Sequence, residues 1–187
     1  MKKSVITIIA ILACLGACVA IGNNDNNSEK KEEASDTTLT SEKAETKSDW
    51  KYSEETDEMT DKIAYFATVQ SENEVEFDFP YQGGSTLSFT LRDSPEFGKD
   101  AYIRISKGQF NVQYNGTKIK IRFDDKEPIT VTANEASDGS MDILFLRNYA
   151  KLVNALKEAK TMKINVEFFN EGIRTFTFDV ANLKWEH

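Results

Sequence analysis

The stretch Lys118 to Asp124 reads KIKIRFD. Ile119, Ile121 and Phe123 alternate without an error against Lys118, Lys120 and Arg122. That period of two puts three apolar side chains on one face of a strand and three cations on the other. Asn115-Gly116 stands just before it. Asn-Gly between alternating runs predicts a two-residue hairpin, because both positions tolerate positive φ. Working outward, Thr86 to Arg92 (TLSFTLR) alternates Leu87, Phe89 and Leu91 against Ser88, Thr90 and Arg92. Ala101 to Ser106 (AYIRIS) places Ile103 and Ile105 on one face, and Ile129 to Ala133 reads as a further short strand. Ile63 to Ser71 (IAYFATVQS) is apolar on nearly both faces and is expected as a central strand. Met162 to Phe169 and Ile173 to Val180 flank Asn170-Glu171-Gly172, which predicts a second hairpin.

One segment follows a different period. Arg147 to Lys160 (RNYAKLVNALKEAK) sets Tyr149, Leu152, Val153, Leu156 and Ala159 on one stripe at helical spacing, among good helix formers. The expected role of this helix is to cap the open end of a sheet pair. About eight or nine strands and one helix in the C-terminal half predict a mainly β fold, an antiparallel β-sandwich or a flattened barrel.

Upstream, the chemistry changes. Lys2 and Lys3 precede an uncharged run, Val5 to Leu15 (VITIIAILACL), the pattern of an export signal. The apolar run to Ile21 is at the short limit for a membrane span. Leu15-Gly16-Ala17-Cys18 resembles the lipobox of bacterial lipoproteins, with small residues before a cysteine that becomes the lipidated N-terminus. Ile11-Leu12-Ala13-Cys14 is a poorer version, and Ala20 offers a plain cleavage site that would release a soluble exported protein. The expected boundaries are a signal peptide at 1–17, Cys18 with a polar tether at 18–49, and the folded domain at 50–187. Two or three acyl chains suffice for stable anchoring, at roughly 0.8 kcal/mol per buried methylene. Gly22 to Asp49 contains only Ala34, Leu39 and Ala44 as apolar residues, too little to offset the entropy of ordering. With Cys18 lipidated, no second cysteine remains for a disulfide, so the core alone must hold the domain.

From Trp50 onward there are 23 acidic and 17 basic residues. That balance argues against nucleic acid as a partner, which needs a basic face. His187 is the sole histidine, expected to be mobile at the last position, so a Ser-His-Asp or Cys-His arrangement is excluded and zinc disfavoured. Gly83-Gly84 reads as a turn, with no following helix to make a phosphate loop. The run EETDEMTD crowds Glu54, Glu55, Asp57, Glu58 and Asp61, but without the spacing and central glycine of a calcium loop. It reads as a solvated acidic turn capped by Asp57 or Thr60. Asp124-Asp125 reads as turn chemistry before Pro128. No catalytic residue, metal or cofactor is assigned. The outward row Lys118, Lys120 and Arg122, with Arg104 and Lys107 expected beside it, is the candidate binding surface for an acidic partner or a polyanionic polymer.

Trp50-Lys51-Tyr52, the DEMTD run Asp57 to Asp61, Leu91-Arg92, Ile121 to Asp124, the helix and a closing Thr175 to Asp179 (TFTFD) resemble, in that order, a group of bacterial envelope lipoproteins. A W…DxMTD opening there leads into an all-β domain, and the group is distantly similar to accessory proteins associated with type VI secretion. The resemblance implies no catalytic residues. It implies structural roles for Trp50, Asp57, Met59, Asp61, Arg92 and Asp124, with an ion pair expected between Arg92 or Arg122 and one of those aspartates. The expected function is a non-enzymatic lipoprotein of the bacterial cell envelope, lipid-anchored to a membrane with its domain outside the cytoplasm. Its β-sandwich would bind an envelope protein or small ligand. The alternatives are a carboxylate-dependent hydrolase of glycan or cell-wall polymer, and a phage- or mobile-element-encoded surface exclusion protein.

Overall fold

A computed structural model describes residues 49–187; Cys18, the expected signal peptide and the expected tether up to residue 48 lie outside the described residues. Nine strands form one antiparallel sheet: β1 (Lys51–Thr56), β2 (Ile63–Gln70), β3 (Leu87–Ser94), β4 (Gly98–Ile105), β5 (Thr117–Phe123), β6 (Ile129–Glu135), β7 (Ile143–Leu146), β8 (Thr161–Phe168) and β9 (Gly172–Asp179). One helix, α1 (Tyr149–Glu158), joins β7 to β8. The order across the sheet is β1-β2-β3-β4-β7-β6-β5-β8-β9. The described residues adopt the expected mainly β, sandwich-like fold, with one helix among them. The sheet turns back on itself around one core without closing into a barrel: β1 and β9 remain its two edges.

The alternation seen in the sequence decides which face goes inside. Ile119, Ile121 and Phe123 of β5 are buried, as are Leu87, Phe89 and Leu91 of β3 and Ile103 and Ile105 of β4. Met162, Ile164, Val166 and Phe168 of β8 face Phe176 and Phe178 of β9 in the same core. Each such side chain contributes roughly 1.5–3 kcal/mol on burial. The β8–β9 hairpin forms as expected, with Asn170 and Gly172 both at positive φ in the turn. α1 buries Leu152, Val153 and Leu156 against the inner faces.

Three expectations are corrected. Asn115-Gly116 does not join paired strands, because β4 pairs with β3 and β7, whereas β5 pairs with β6 and β8. Gly116 does make a turn at φ 88, its N–H donating to Gln113 O. The connection before the turn is fixed elsewhere: Phe110 is buried and bridges to Phe168, so the turn redirects the chain between the two halves of the sheet. β2 is second from the edge, because KYSEET, read as part of an acidic turn, forms β1 beside it. His187 is held in place: its ring stacks on Tyr65 at 4.0 Å between centroids and meets the Trp185 ring edge-on.

β7 is the narrow join. Its four residues pair with β4 through Ile143 to Leu146 on one side and with β6 through Leu144 to Leu146 on the other. The long β2–β3 connection crosses to β9, where Glu72 N–H donates to Thr177 O. Within that connection Phe77 is buried against Phe168.

Candidate functional site

The outer face of β5 carries Lys118, Lys120 and Arg122, as the alternation requires. The register places Arg122 opposite Lys163 and Lys120 opposite Asn165 on β8. Residues directly opposite share a face, so Lys163 extends the row onto the neighbouring strand. Lys120, Arg122 and Lys163 line a shallow depression of about 260 Å³ with Pro128, Asn165 and Thr175. Lys118 Nζ donates to Thr132 Oγ1 at 2.7 Å. Among the described residues none of these four cations has a carboxylate partner within ion-pair distance. Glu167 is the acidic residue at the next outward position of β8.

Arg104 does not belong to this row. β7 and β6 stand between β4 and β5, and Arg104 pairs with Asp142 at 3.4 Å. Lys107 is equally removed, its Nζ donating to Gln82 O and Gly83 O in the β2–β3 connection. Lys163 is the member that the sequence did not reveal.

A second depression, of about 500 Å³, lies on the outer face beside the β1–β2 and β3–β4 turns. Ala64, Phe66 and Arg92 line it together with Glu55, Asp57, Lys62, Glu96 and Phe97. The DEMTD residues form one wall by turn chemistry. Asp57 Oδ1 accepts from Met59 N–H at 2.8 Å and Thr60 N–H at 2.9 Å, and Asp61 sits at φ 54. Met59 is 92% exposed, so it supports no core. Arg92 pairs with none of the expected aspartates. Its partner is Asp100, directly opposite on β4, which receives Nε at 3.0 Å and Nη2 in a two-pronged pair. The Phe97 ring lies over the guanidinium at 4.6 Å, with Tyr102 and Phe145 at 5.7 Å. Arg122, likewise, faces Lys163 and makes no pair with an aspartate among the described residues. Trp50 is buried; its indole N–H donates to Val180 O at 3.0 Å and its ring meets Phe89 edge-on.

Asp124 is a staple between segments far apart in the chain. It sits at φ 48 after β5, and Oδ1 accepts Lys160 N–H at 3.0 Å, Thr161 N–H at 2.9 Å and Thr161 Oγ1–H at 3.3 Å. Those donors, the Thr161 amide first, hold its carboxyl below the usual carboxylate range. We expect Asp124→Ala to lower stability by about 0.5–2 kcal/mol, the range for losing a capping acceptor. Because the folded carboxyl is depressed, its contribution is fully present above the unfolded pKa and fades as pH falls through the folded value. Urea titrations should therefore show wild type losing its advantage over Asp124→Ala below about pH 4; a pH-independent gap would refute the role.

The backbone N–H groups around Asp57 and Asp138 also depress those carboxyls, Met59 N–H first for Asp57 and Ser140 N–H first for Asp138. A general acid needs the opposite shift. At the inner end, burial raises the Tyr149 phenol, whose oxygen accepts from Trp185 Nε1 at 2.6 Å. Among the described residues no group of three or more His, Cys, Asp or Glu gathers as a metal site, and no helix is long and apolar enough to cross a membrane. What the basic face can do chemically is receive distributed negative charge. Comparison with protein-family models, with curated proteins and with solved structures found no match to this chain.

Proposed function

We propose that this chain is a non-enzymatic binding module of the bacterial cell envelope, tethered by a lipid on Cys18, whose β-sandwich receives an anionic partner on the Lys118, Lys120, Arg122 and Lys163 face. The observation that carries the reading is four neighbouring cations without carboxylate partners among the described residues, in a domain whose overall balance is acidic. A structural use of charge would pair them, as Arg92 is paired with Asp100. The lipobox-like Leu15 to Cys18 and the polar stretch after it support the anchor.

Two probes test the binding face: a short polyphosphate and a poly-glutamate of similar length, each titrated at low salt. Wild type should bind at least one of them saturably. Lys120→Glu with Arg122→Glu should weaken that binding by about tenfold or more, with a smaller dependence on salt. Equal affinity of wild type and variant, or no saturable binding of either probe, would remove the anionic-partner reading. The anchor is tested by fractionation: the native chain should sediment with membranes and Cys18→Ala should not.

A further inference from the structure

The two edges of the sheet are finished differently. β9 is covered: Glu72 N–H donates to Thr177 O at 2.8 Å, and the Asn73 carboxamide both accepts from Thr177 N–H and donates to Thr175 O. Two residues of the β2–β3 connection thereby take the place of a tenth strand. β1 has no such backbone cover; the C-terminal segment reaches it through Lys184 N–H, which donates to the Tyr52 hydroxyl at 2.8 Å. Lys51–Thr56 pair with β2 along their whole length, all six are exposed, and no backbone bond to their far side is made among the described residues. An edge strand leaves the N–H and C=O of every second residue unpaired, which makes it a template for an added chain. Six unbroken pairs show neither a bulge nor a proline to blunt it.

What could add to β1 is restricted by charge. The strand and its turn carry Glu54, Glu55, Asp57, Glu58 and Asp61 against Lys51 and Lys62. A second copy would bring this acidic strand against itself, and like charges directly opposite destabilise a pair. The depression of about 500 Å³ adjoins the strand on its outer face, with Glu55, Asp57 and Glu96 against Lys62 at its walls, Arg92 already neutralised by Asp100, and Phe66 and Phe97 among its lining. Carboxylates around aromatic rings suit a Lys or Arg side chain, whose stem packs on the rings while its head meets the charge.

We propose that β1 is a docking edge for an extended basic segment of a partner protein, which pairs with the strand backbone and seats one cationic side chain in the adjoining depression. This goes beyond the anionic-partner reading and does not depend on it: β5 and β8 lie in the other half of the sheet.

The test uses the full chain and two synthetic eight-residue peptides, one alternating Lys with Val and Thr, the other with Glu at each Lys position. Hydrogen exchange is followed at the amides of Lys51 to Thr56. The basic peptide should bind saturably and slow exchange at alternate amides of β1, and the acidic peptide should do neither. Glu55→Lys should weaken binding about tenfold or more. Ser53→Pro and Glu54→Pro are made together because adjacent amides point to opposite sides of the strand. The variant that keeps the wild-type melting temperature has lost an outward N–H and should lose peptide binding. Failure to bind up to millimolar peptide overturns the proposal, as does binding that leaves exchange in β1 unchanged. Slow exchange of all β1 amides in the free chain also overturns it: if independent of concentration the chain's own residues occupy the edge, and if concentration-dependent a second copy does.

Discussion

Phe168→Ala is expected to cost about 3–5 kcal/mol of stability, the range for removing a fully buried phenylalanine ring. Its ring is 4.8 Å from that of Phe77, 5.0 Å from Phe110 and 6.0 Å from Phe176. Phe77 belongs to the β2–β3 connection and Phe110 to the β4–β5 connection, so one ring on β8 secures two long excursions of the chain. The loss therefore combines transfer of the side chain, a cavity, and two aromatic contacts worth roughly 0.5–1.5 kcal/mol each beyond area. A domain of this size has about 5–15 kcal/mol in total, so the variant should sit near the limit of folding. Urea unfolding of wild type, Phe168→Leu and Phe168→Ala decides it, with leucine expected to lose less than half as much as alanine. A loss under about 1.5 kcal/mol for alanine would mean that the connections hold themselves without this ring.

Arg92→Ala should cost about 2–3 kcal/mol, for a reason that has nothing to do with apolar area. The side chains of Arg92 and Asp100 are 17% and 22% exposed, so the pair is largely but not wholly removed from water. Cutting it leaves the Asp100 carboxylate, only partly open to water, with its main partner gone. The penalty for orphaning a fully buried charge is roughly 3–5 kcal/mol, discounted here for the remaining solvent access. Lysine should recover less than half, since it offers neither the flat stack on Phe97 nor two parallel N–H bonds. Replacing both partners together, Arg92→Met with Asp100→Leu, should return most of the loss. A double-mutant cycle by urea unfolding gives the coupling directly. If the double replacement is as unstable as Arg92→Ala, the pair is not the cause and the packing of the guanidinium is.

What could be read in the sequence followed from period and local turn chemistry. β5 was legible because three apolar and three charged residues alternate within one strand, and α1 because Leu152, Val153 and Leu156 recur at helical spacing. The β8–β9 hairpin was legible because both strands and the turn lie in one contiguous stretch. β1 was not, since a strand with every residue exposed has no apolar period to display. β7 was not, since ILFL is too short to distinguish from the start of a helix. The order of strands is a non-local property. Nothing in the residues between Gly98 and Glu135 states that β7 inserts between β4 and β6, and that insertion is what separates Arg104 from the β5 row. The same holds for the candidate site: Lys163 joins Arg122 only through a register between strands forty residues apart in the chain. Asp100 was hidden differently, because pairing across the β3–β4 hairpin requires the register as well as the hairpin.

Trp50 has a mechanical consequence. It is the residue through which any pull on the preceding chain enters the domain, and it is buried, with its indole bonded to Val180 beside the opposite edge of the sheet. A force arriving from the N-terminal side must extract that ring from its socket before it can begin to peel β1 from β2, one residue pair at a time. The load is shared at once between the first and last strands, so the most exposed strand of the sheet is shielded by the bulkiest side chain next to it.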